Sequence, residues 1–223
     1  MGILYIVATP IGNLEDISKR ALRILSEVDL ILCEDTRVTQ KLLARYEIKT
    51  RTMSYHQHTE IKKTEEIIRL LGEGKNIALV SDAGTPGISD PGNRLIEQLT
   101  RYSIGQLITI PIPGPSALTA AASISGFPMD RFVFLGFPPV KKKRKKFFEE
   151  AISSEYPVIL YESPYRIIKT LKEIGLLTER RIVVCRELTK KFETVYRGQA
   201  KDILNELAKE EIRGEFVVML GDK

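Results

Sequence analysis

The sequence is poor in the residues that build disulfide frameworks and metal sites. Its 223 residues include two cysteines, Cys33 and Cys185, and two histidines, His56 and His58. Both cysteines lie in apolar runs, so we expect buried free thiols in a reducing compartment. No group of cysteines and histidines has metal-ligand spacing, and we therefore expect no metal. The histidines are interpreted as part of a polar loop, with a substrate contact as the alternative.

Long apolar runs are also missing, and none is long enough to span a bilayer. The first run, residues 3–8, has only the length of a strand and no basic segment before it, which argues against a signal peptide. The loop that follows lacks the G-x-G-x-x-G pattern, so binding of a dinucleotide is disfavoured. No internal repeat or low-complexity segment is present. We expect a cytoplasmic globular protein.

Composition allows several partners and requires none. The hydrophobic share of 43% and the charged share of 28% are typical of a soluble globular chain. A formal charge of +5 and a pI near 9.1 permit a polyanionic partner without requiring one. A chain of this length can bury a sizeable core in one large domain or two small ones.

The most informative stretch is residues 81–92, SDAGTPGISDPG, between a buried strand and a helix. Its three glycines let the backbone pass close to a ligand, and its two prolines stiffen it. In an open α/β sheet, loops at the carboxyl ends of the strands build the binding crevice. The alternative is a plain turn, which is a less natural use of so long and stiff a loop.

The order of the predicted elements gives the fold class. In the first half, strands alternate with helices, which predicts right-handed parallel βαβ units. After residue 112 the connections change and closing strands follow at 194–198 and 215–220, which predicts a mixed sheet. We predict an α/β protein with an N-terminal α/β domain at 1–112 and a C-terminal α/β domain at 113–223.

Polar residues cluster where the first strands end. Asp16 is predicted to cap the helix after the Gly/Pro loop at 9–16. The charged segment 34–37, Glu-Asp-Thr-Arg, has two interpretations. It is a solvated helix start that Asp35 or Thr36 caps, or it places Glu34, Asp35 or Arg37 in the binding crevice. The segment 113–117, Pro-Gly-Pro-Ser-Ala, leads into a small-residue helix whose first N–H groups attract anions, and Ser116 can cap it.

A basic run, residues 141–146, stands in the second half as Lys-Lys-Lys-Arg-Lys-Lys. Such a run is either the solvated face of a helix or a contact with a phosphate backbone. The sequence leaves both interpretations open.

Taken together and in chain order, these motifs resemble the tetrapyrrole methylase superfamily, the class III S-adenosylmethionine-dependent methyltransferases. The resemblance is strongest to the branch that methylates small-subunit ribosomal RNA. The segments that carry it are ATPIGNL at 8–14, CEDTR at 33–37, the loop at 81–92, PGPSA at 113–117, YESP at 161–164 and CRELTK at 185–190. Two departures are Thr85, where relatives usually have Asp, and an end at Lys223, where chains of this branch often add a helical segment.

The resemblance implies 2′-O-methylation of a cytidine ribose in small-subunit (16S) ribosomal RNA, free or in the assembled subunit, by a homodimer. It implies that S-adenosyl-L-methionine lies in a cleft between the two domains. The residues expected to hold this cofactor are Pro10, Gly84, Thr85, Ile88, Ser116, Ala117, Leu160 and Tyr161.

Two alternatives remain beside this interpretation. A methyltransferase of the same fold could act on a tetrapyrrole precursor, whose carboxylates the basic run and Arg37, Arg166 and Arg186 would bind. A non-catalytic RNA-binding protein that kept the fold is the other alternative, and the intact loop at 81–92 argues against it.

The catalytic group is the remaining question. Transfer of a methyl group to a hydroxyl is an in-line displacement, and a positioned carboxylate or amine can take the proton. We predict that Asp35 is this acidic group and that Arg37 anchors the substrate, since Arg37 would keep a carboxylate ionised or hold a phosphate. The other candidates are Glu34, Asp82, Asp90, Glu162, Glu187 and Lys190, with turn capping as the alternative for Asp82 and Asp90.

Overall fold

The structure of the chain is a computed structural model that describes residues 1–55, 61–90, 92–102 and 107–222. His56 and His58, and with them the predicted polar loop, lie outside these ranges, as does Pro91. The chain divides into two compact units, Met1–Ser116 and Ala117–Lys223, called here the first and second units.

The first unit alternates strands and helices. Its elements are β1 (Ile3–Val7), a short 3-10 helix (Leu14–Asp16), α1 (Lys19–Glu27), β2 (Leu30–Cys33), α2 (Thr36–Arg45), β3 (Thr52–Ser54), α3 (Ile61–Gly72), β4 (Ile77–Leu79), α4 (Gly92–Tyr102) and β5 (Ile108–Ile112).

The strands of the first unit form one parallel sheet in the order β3-β2-β4-β1-β5. Successive residues of each strand face opposite sides, and both sides are covered. Val7 and Ile31 enter one core with α1 and α2, whereas Leu4 and Leu32 enter another with α3 and α4. Burial on both faces explains why these strands are apolar throughout. The predicted parallel half is confirmed.

One local prediction in this unit is wrong. Asp16 does not cap α1, because it lies exposed in the short 3-10 helix. Ser18 caps α1 instead, and its hydroxyl accepts a hydrogen bond from the Ala21 N–H at 3.0 Å. The extra turn of 3-10 helix moves the helix start two residues along the chain.

The second unit begins with a helix and ends with a strand. Its elements are α5 (Ala117–Ile124), β6 (Val133–Gly136), α6 (Arg144–Ser153), β7 (Val158–Glu162), α7 (Ile167–Gly175), β8 (Ile182–Arg186), β9 (Thr194–Gly198), α8 (Ala200–Leu207) and β10 (Phe216–Leu220).

The second sheet has the order β6-β7-β10-β8-β9 and is mixed. β6 and β7 are parallel, and the other neighbours are antiparallel. Phe216, at the start of β10, is paired with Glu162 and Arg186, at the ends of β7 and β8. The loops that follow β6, β7 and β8 therefore leave the sheet on one side, called here the loop edge. The predicted mixed sheet is confirmed.

Both cysteines are buried and free, as expected from their apolar surroundings. Burial raises the pKa of the Cys33 thiol, and it raises the pKa of Cys185 to about 11. Thiols that are neutral at physiological pH and shielded from solvent act as small apolar core residues.

Candidate active site

Loops at the carboxyl ends of three strands of the first sheet are tied together by main-chain hydrogen bonds and by the hydroxyl groups of two threonines. Thr9, after β1, and Gly84, after β4, exchange two N–H···O=C bonds of 2.9 and 3.0 Å. The Thr9 hydroxyl also donates to the Ser81 carbonyl at 3.1 Å. After β5, the Pro115 carbonyl accepts a hydrogen bond of 3.3 Å from the Thr85 hydroxyl. The three loops thus form one wall, called here the loop wall.

Two glycines keep the loop wall close-packed. Gly84 has φ +82°, a left-handed conformation that other residues rarely adopt. A Cβ atom at Gly114 would lie 3.1 Å from the Cβ of Ala8, which is tighter than ordinary contact. The wall therefore consists of backbone and small side chains. Because Gly84 and Gly114 carry no side chain, a small molecule can approach this backbone closely, and the residues present fit a nucleoside-like cofactor.

Four of the predicted cofactor residues belong to the loop wall. Pro10 follows Thr9 and is buried with Gly84. Thr85 is half-buried, and Ile88, whose N–H bonds to the Thr85 carbonyl, has an exposed side chain. The structure therefore brings these four predicted residues into one region.

Ser116 and Ala117 stand where the chain passes from one unit to the other. Ser116 is the residue before α5, and Ala117 is the first residue of that helix. Their position at a helix N-terminus agrees with the predicted elements, and the contact with a cofactor stays a prediction.

The two predicted cofactor residues of the second unit differ in what they can offer. The Leu160 side chain is buried in the core of that unit, so only its backbone can face a ligand. The Tyr161 ring is partly exposed and lies edge-on to Phe134 and Phe137, with centroid distances of 4.9 and 5.6 Å. The cleft between the domains, which would join these residues to the loop wall, stays a prediction.

The predicted catalytic pair is in contact. Asp35 is the N-cap of α2, and its carboxylate accepts a hydrogen bond from the Arg37 N–H at 2.8 Å and pairs with the Arg37 guanidinium at 2.6 Å. Hydrogen bonds from Arg37 lower the pKa of Asp35 to about 2. The capping role is therefore confirmed, and the pair remains available to a substrate because the Arg37 side chain is exposed. The Asp35 N–H donates to Asp82 at 3.1 Å, which links the loops after β2 and β4.

Glu34 has a different environment, although it is the neighbour of Asp35. Burial, followed by the charges of Asp90 and Asp82, raises the pKa of its carboxyl group. Among the described residues, no hydrogen bond or ion pair involves this carboxylate. Glu34 lines a small pocket, whose other lining residues are Tyr55, Leu79, Val80, Pro86, Asp90 and Gly92.

The remaining candidates are engaged within the fold. Asp90 accepts hydrogen bonds of 2.7 Å from the N–H groups of Gly87 and Gly92. These are the contacts expected if Asp90 caps a turn. Lys190 pairs with Glu187 at 2.7 Å and with Glu215 at 3.0 Å. These contacts give each residue a structural role, and none of them tests a catalytic one.

Glu162 is the most constrained of the candidates. Its side chain is inaccessible to solvent and pairs with Arg166 at 2.8 Å. It accepts a hydrogen bond of 2.6 Å from the Thr170 hydroxyl and lies 3.9 Å from Arg144. A buried carboxylate with these partners holds the fold together, because each partner would lose its counter-charge or acceptor without it.

The sequence interpretation treated the basic run at 141–146 as one uniform segment. The structure shows that its residues differ in exposure. Its five lysines are exposed, but Arg144 is only 5% exposed. Arg144 donates to Thr170 and to Glu173, both at 2.7 Å, and to the Pro139 carbonyl at 2.9 Å. The sequence contains a signal for the burial of Arg144. Arg144 precedes the apolar residues Phe148 and Ala151 by four and seven positions, which places all three on one face of α6.

The described ranges contain neither a metal-binding cluster nor a membrane-spanning helix. Within them, no group of three or more His, Cys, Asp and Glu side chains is arranged to hold a metal ion. None of the helices in those ranges combines the length and apolar character needed to cross a membrane.

Comparison with known sequences gives matches along nearly the whole chain. The family model for tetrapyrrole (corrin/porphyrin) methylases matches residues 3–204. The chain is 44% identical to ribosomal RNA small subunit methyltransferase I of Thermotoga maritima, over 100% of both chains. It is 46% identical to the protein of that name in Synechocystis sp., over 99% of this chain and 79% of the relative. The Bacillus subtilis protein of that name is 45% identical, over 99% of this chain and 75% of the relative.

Solved structures with low sequence identity share the fold. Diphthine synthase superposes with a TM-score of 0.75 at 15% identity, covering 99% of this chain and 90% of that one. Uroporphyrin-III-C-methyltransferase from Thermus thermophilus gives 0.67 at 18% identity, covering 99% and 94%. At these identities the likeness extends to the fold alone.

Proposed function

The chain belongs to the tetrapyrrole methylase family, and on this premise we propose that it methylates the ribose 2′-hydroxyl of a cytidine in small-subunit ribosomal RNA. The methyl donor is S-adenosyl-L-methionine. The observation that carries the proposal is the 44% identity, over the full length of both chains, to a small-subunit ribosomal RNA methyltransferase.

The cofactor site is proposed around the loop wall. Its close-packed backbone groups suit the polar parts of a nucleoside, and the N-terminus of α5 suits a carboxylate. The Tyr161 ring offers an apolar face. The proposed contacts are Pro10, Gly84, Thr85, Ile88, Ser116, Ala117, Leu160 and Tyr161.

The residues of the loop wall would hold S-adenosyl-L-methionine, which would supply an activated methyl group for the ribose oxygen. Asp35 accepts the proton that this oxygen loses, and Arg37 holds a phosphate of the RNA. An oxygen that carries both a proton and a new methyl group is strongly acidic. For this reason a carboxylate whose pKa is about 2 can still accept the proton, provided that it is close.

The lysines of the basic run are proposed to contact the RNA backbone. Lys141, Lys142 and Lys143 precede α6, and Lys145 and Lys146 lie in its first turn. All five are exposed, whereas Arg144 is occupied within the fold. A homodimer that works on ribosomal RNA in the cytoplasm stays part of the proposal, and light scattering on the purified chain checks the dimer.

The test is methyl transfer from labelled cofactor to three acceptors: undermethylated small subunits, naked ribosomal RNA and uroporphyrinogen. Label in either RNA sample and none in the tetrapyrrole is the expected result, and the preferred RNA sample identifies the substrate. Label only in uroporphyrinogen would support the tetrapyrrole alternative. Calorimetry with S-adenosyl-L-methionine completes the test, since heat of binding for NADH and none for this cofactor would refute the proposal.

A further inference from the structure

The loop edge of the second sheet carries three exposed aromatic side chains. Phe137 follows β6 and is 50% exposed, Tyr165 follows β7 and is 95% exposed, and Phe192 lies between β8 and β9 and is 69% exposed. An aromatic ring loses favourable burial when it faces water. Three such rings on one side of one sheet indicate a binding surface rather than scattered surface residues.

The spacing of the rings follows from the sheet. The order β6-β7-β10-β8 places three strand intervals between the loops of Phe137 and Phe192. At roughly 4.8 Å per interval, the loops are spread over about 14 Å. The three loops that bear the rings therefore follow one another along the same edge of the sheet.

Lysines stand among these rings. Lys141, Lys142 and Lys143 belong to the loop that begins with Phe137, and all three are exposed. Lys191 precedes Phe192, and its ammonium group lies 5.5 Å from the centre of that ring. The loops of Phe137 and Phe192 thus each combine an exposed ring with exposed positive charge, which complements a chain that carries both bases and phosphates.

The first of these loops is held by two arginines, of which Arg144 is buried and Arg166 is partly buried. The Arg166 guanidinium donates to the Pro138 carbonyl at 2.8 Å, and Arg144 donates to the Pro139 carbonyl at 2.9 Å. Glu162 balances the charge of both arginines from beneath. The loop that bears Phe137 and the lysines therefore has a fixed backbone.

The loop of Phe192 is also constrained. Glu187 and Thr189 have φ of 52° and 67°, a region that non-glycine residues seldom occupy. Lys190 holds this turn by pairing with Glu187 and with Glu215. Backbone strain of this kind persists only where the surroundings enforce it, and it concentrates at functional sites.

We propose that the loop edge binds an unpaired stretch of RNA, with bases stacked on Phe137, Tyr165 and Phe192 and phosphates on the neighbouring lysines. This inference rests on the proposed function and specifies the form of the substrate. Unpaired bases expose faces on which aromatic side chains stack, whereas a duplex hides them. Fixed loops lower the ordering cost of binding, because the rings are presented before the RNA arrives.

The test measures binding of a fluorescently labelled single-stranded RNA to the full chain by anisotropy. Tyr165→Leu and Phe192→Leu are each expected to weaken binding about tenfold, the scale of one lost stacking contact. The salt dependence should stay the same in both variants, because no phosphate contact is removed. The matched control is Leu176→Ala, which removes an 85% exposed side chain that follows α7.

The wild-type chain should bind single-stranded RNA more tightly than a duplex of the same sequence. This difference in affinity should be smaller in both aromatic variants. Unchanged single-strand affinity in the two variants, or an equal loss on duplex RNA, would overturn the inference. Methylation assays on small subunits separate this failure from that of the proposed function. A wild type that methylates the subunit while both variants bind RNA normally would refute only the stacking surface.

Discussion

The two units hold their strand-end loops by different means. In the first unit, main-chain bonds between Thr9 and Gly84 join the loops, and small residues let them pack closely. In the second unit, ion pairs hold the loops: those of Glu162 lie below the loop after β6, those of Lys190 hold the loop after β8, and large side chains of both loops are exposed. A wall of backbone suits a small molecule that is recognised by hydrogen bonds. Loops with a fixed base and protruding side chains suit a large, charged partner.

The carboxylates show the same division. Glu162 has its oxygen atoms engaged by Arg166 and Thr170, while Glu34 faces a small pocket and has a raised pKa. Glu162 therefore acts on the fold, whereas Glu34 has no hydrogen-bond or ion-pair partner among the described residues. The predictions below test this division, beginning with the largest expected effect.

Glu162→Ala should lower the free energy of unfolding by about 3–5 kcal/mol, because it leaves Arg166 without its buried counter-charge and the Thr170 hydroxyl without its acceptor. Urea denaturation followed by circular dichroism measures the change. The control is Glu27→Ala, which removes the exposed partner of Arg23 and should cost less than about 1 kcal/mol. Similar losses in the two variants would show that the buried ion pairs do not hold the second unit in the way described.

Asp35→Asn should lower turnover roughly a hundredfold, the usual scale for a lost proton acceptor, and leave affinity for S-adenosyl-L-methionine unchanged. Single-turnover methylation and calorimetry measure the two quantities. Asp29→Asn is the matched control, since Asp29 also pairs with a cation, Lys75, but stands before β2 and not after it. Near-normal turnover in Asp35→Asn would make Glu34 the next candidate, followed by Glu187 and Lys190.

Replacing Lys141, Lys142 and Lys143 by alanine should weaken RNA binding. The slope of the logarithm of affinity against the logarithm of salt concentration should become less steep by about 2. Cofactor affinity should not change. Lys201→Ala is the control, because this exposed lysine lies at the start of α8, after the opposite end of β9. Equal salt slopes for the wild type and the triple variant would mean that the lysines form only a solvated face.

Arg37→Met should raise the pKa of Asp35 from about 2 toward its ordinary value of 3.8. The pair lowers this pKa in the folded state, so its contribution to stability is present above about pH 4 and is lost as the pH falls toward 2. Titration of the Asp35 carboxyl carbon by NMR measures the shift. An unchanged titration would show that Arg37 is not the partner of Asp35 in solution.

The fold was predictable because its main signals are regular. Apolar runs of strand length followed by Gly/Pro loops identify the parallel sheet without reference to packing. Asp16 and Ser18 show where this fails: both are good helix caps, and a turn of 3-10 helix decides between them.

The site was predictable only in part. Charge alone could not separate Arg144 from the lysines around it, because its burial depends on Thr170 and Glu173, which are distant in the sequence. The exposure of Tyr165 and Phe192 is equally a result of tertiary structure. An aromatic residue near a strand end is buried in most proteins, so nothing local marked these two as surface residues.

The strand order of the second sheet has a consequence for synthesis of the chain. β10 comes after the other strands of this sheet in the sequence, yet it lies between β7 and β8. A ribosome that makes the chain from its N-terminus completes the strands of the first unit early, so that unit can fold while translation continues. The second unit has to wait for residues 216–220. Until then β7 and β8 each present an unpaired edge, and this interval is when the nascent chain is most open to wrong pairing.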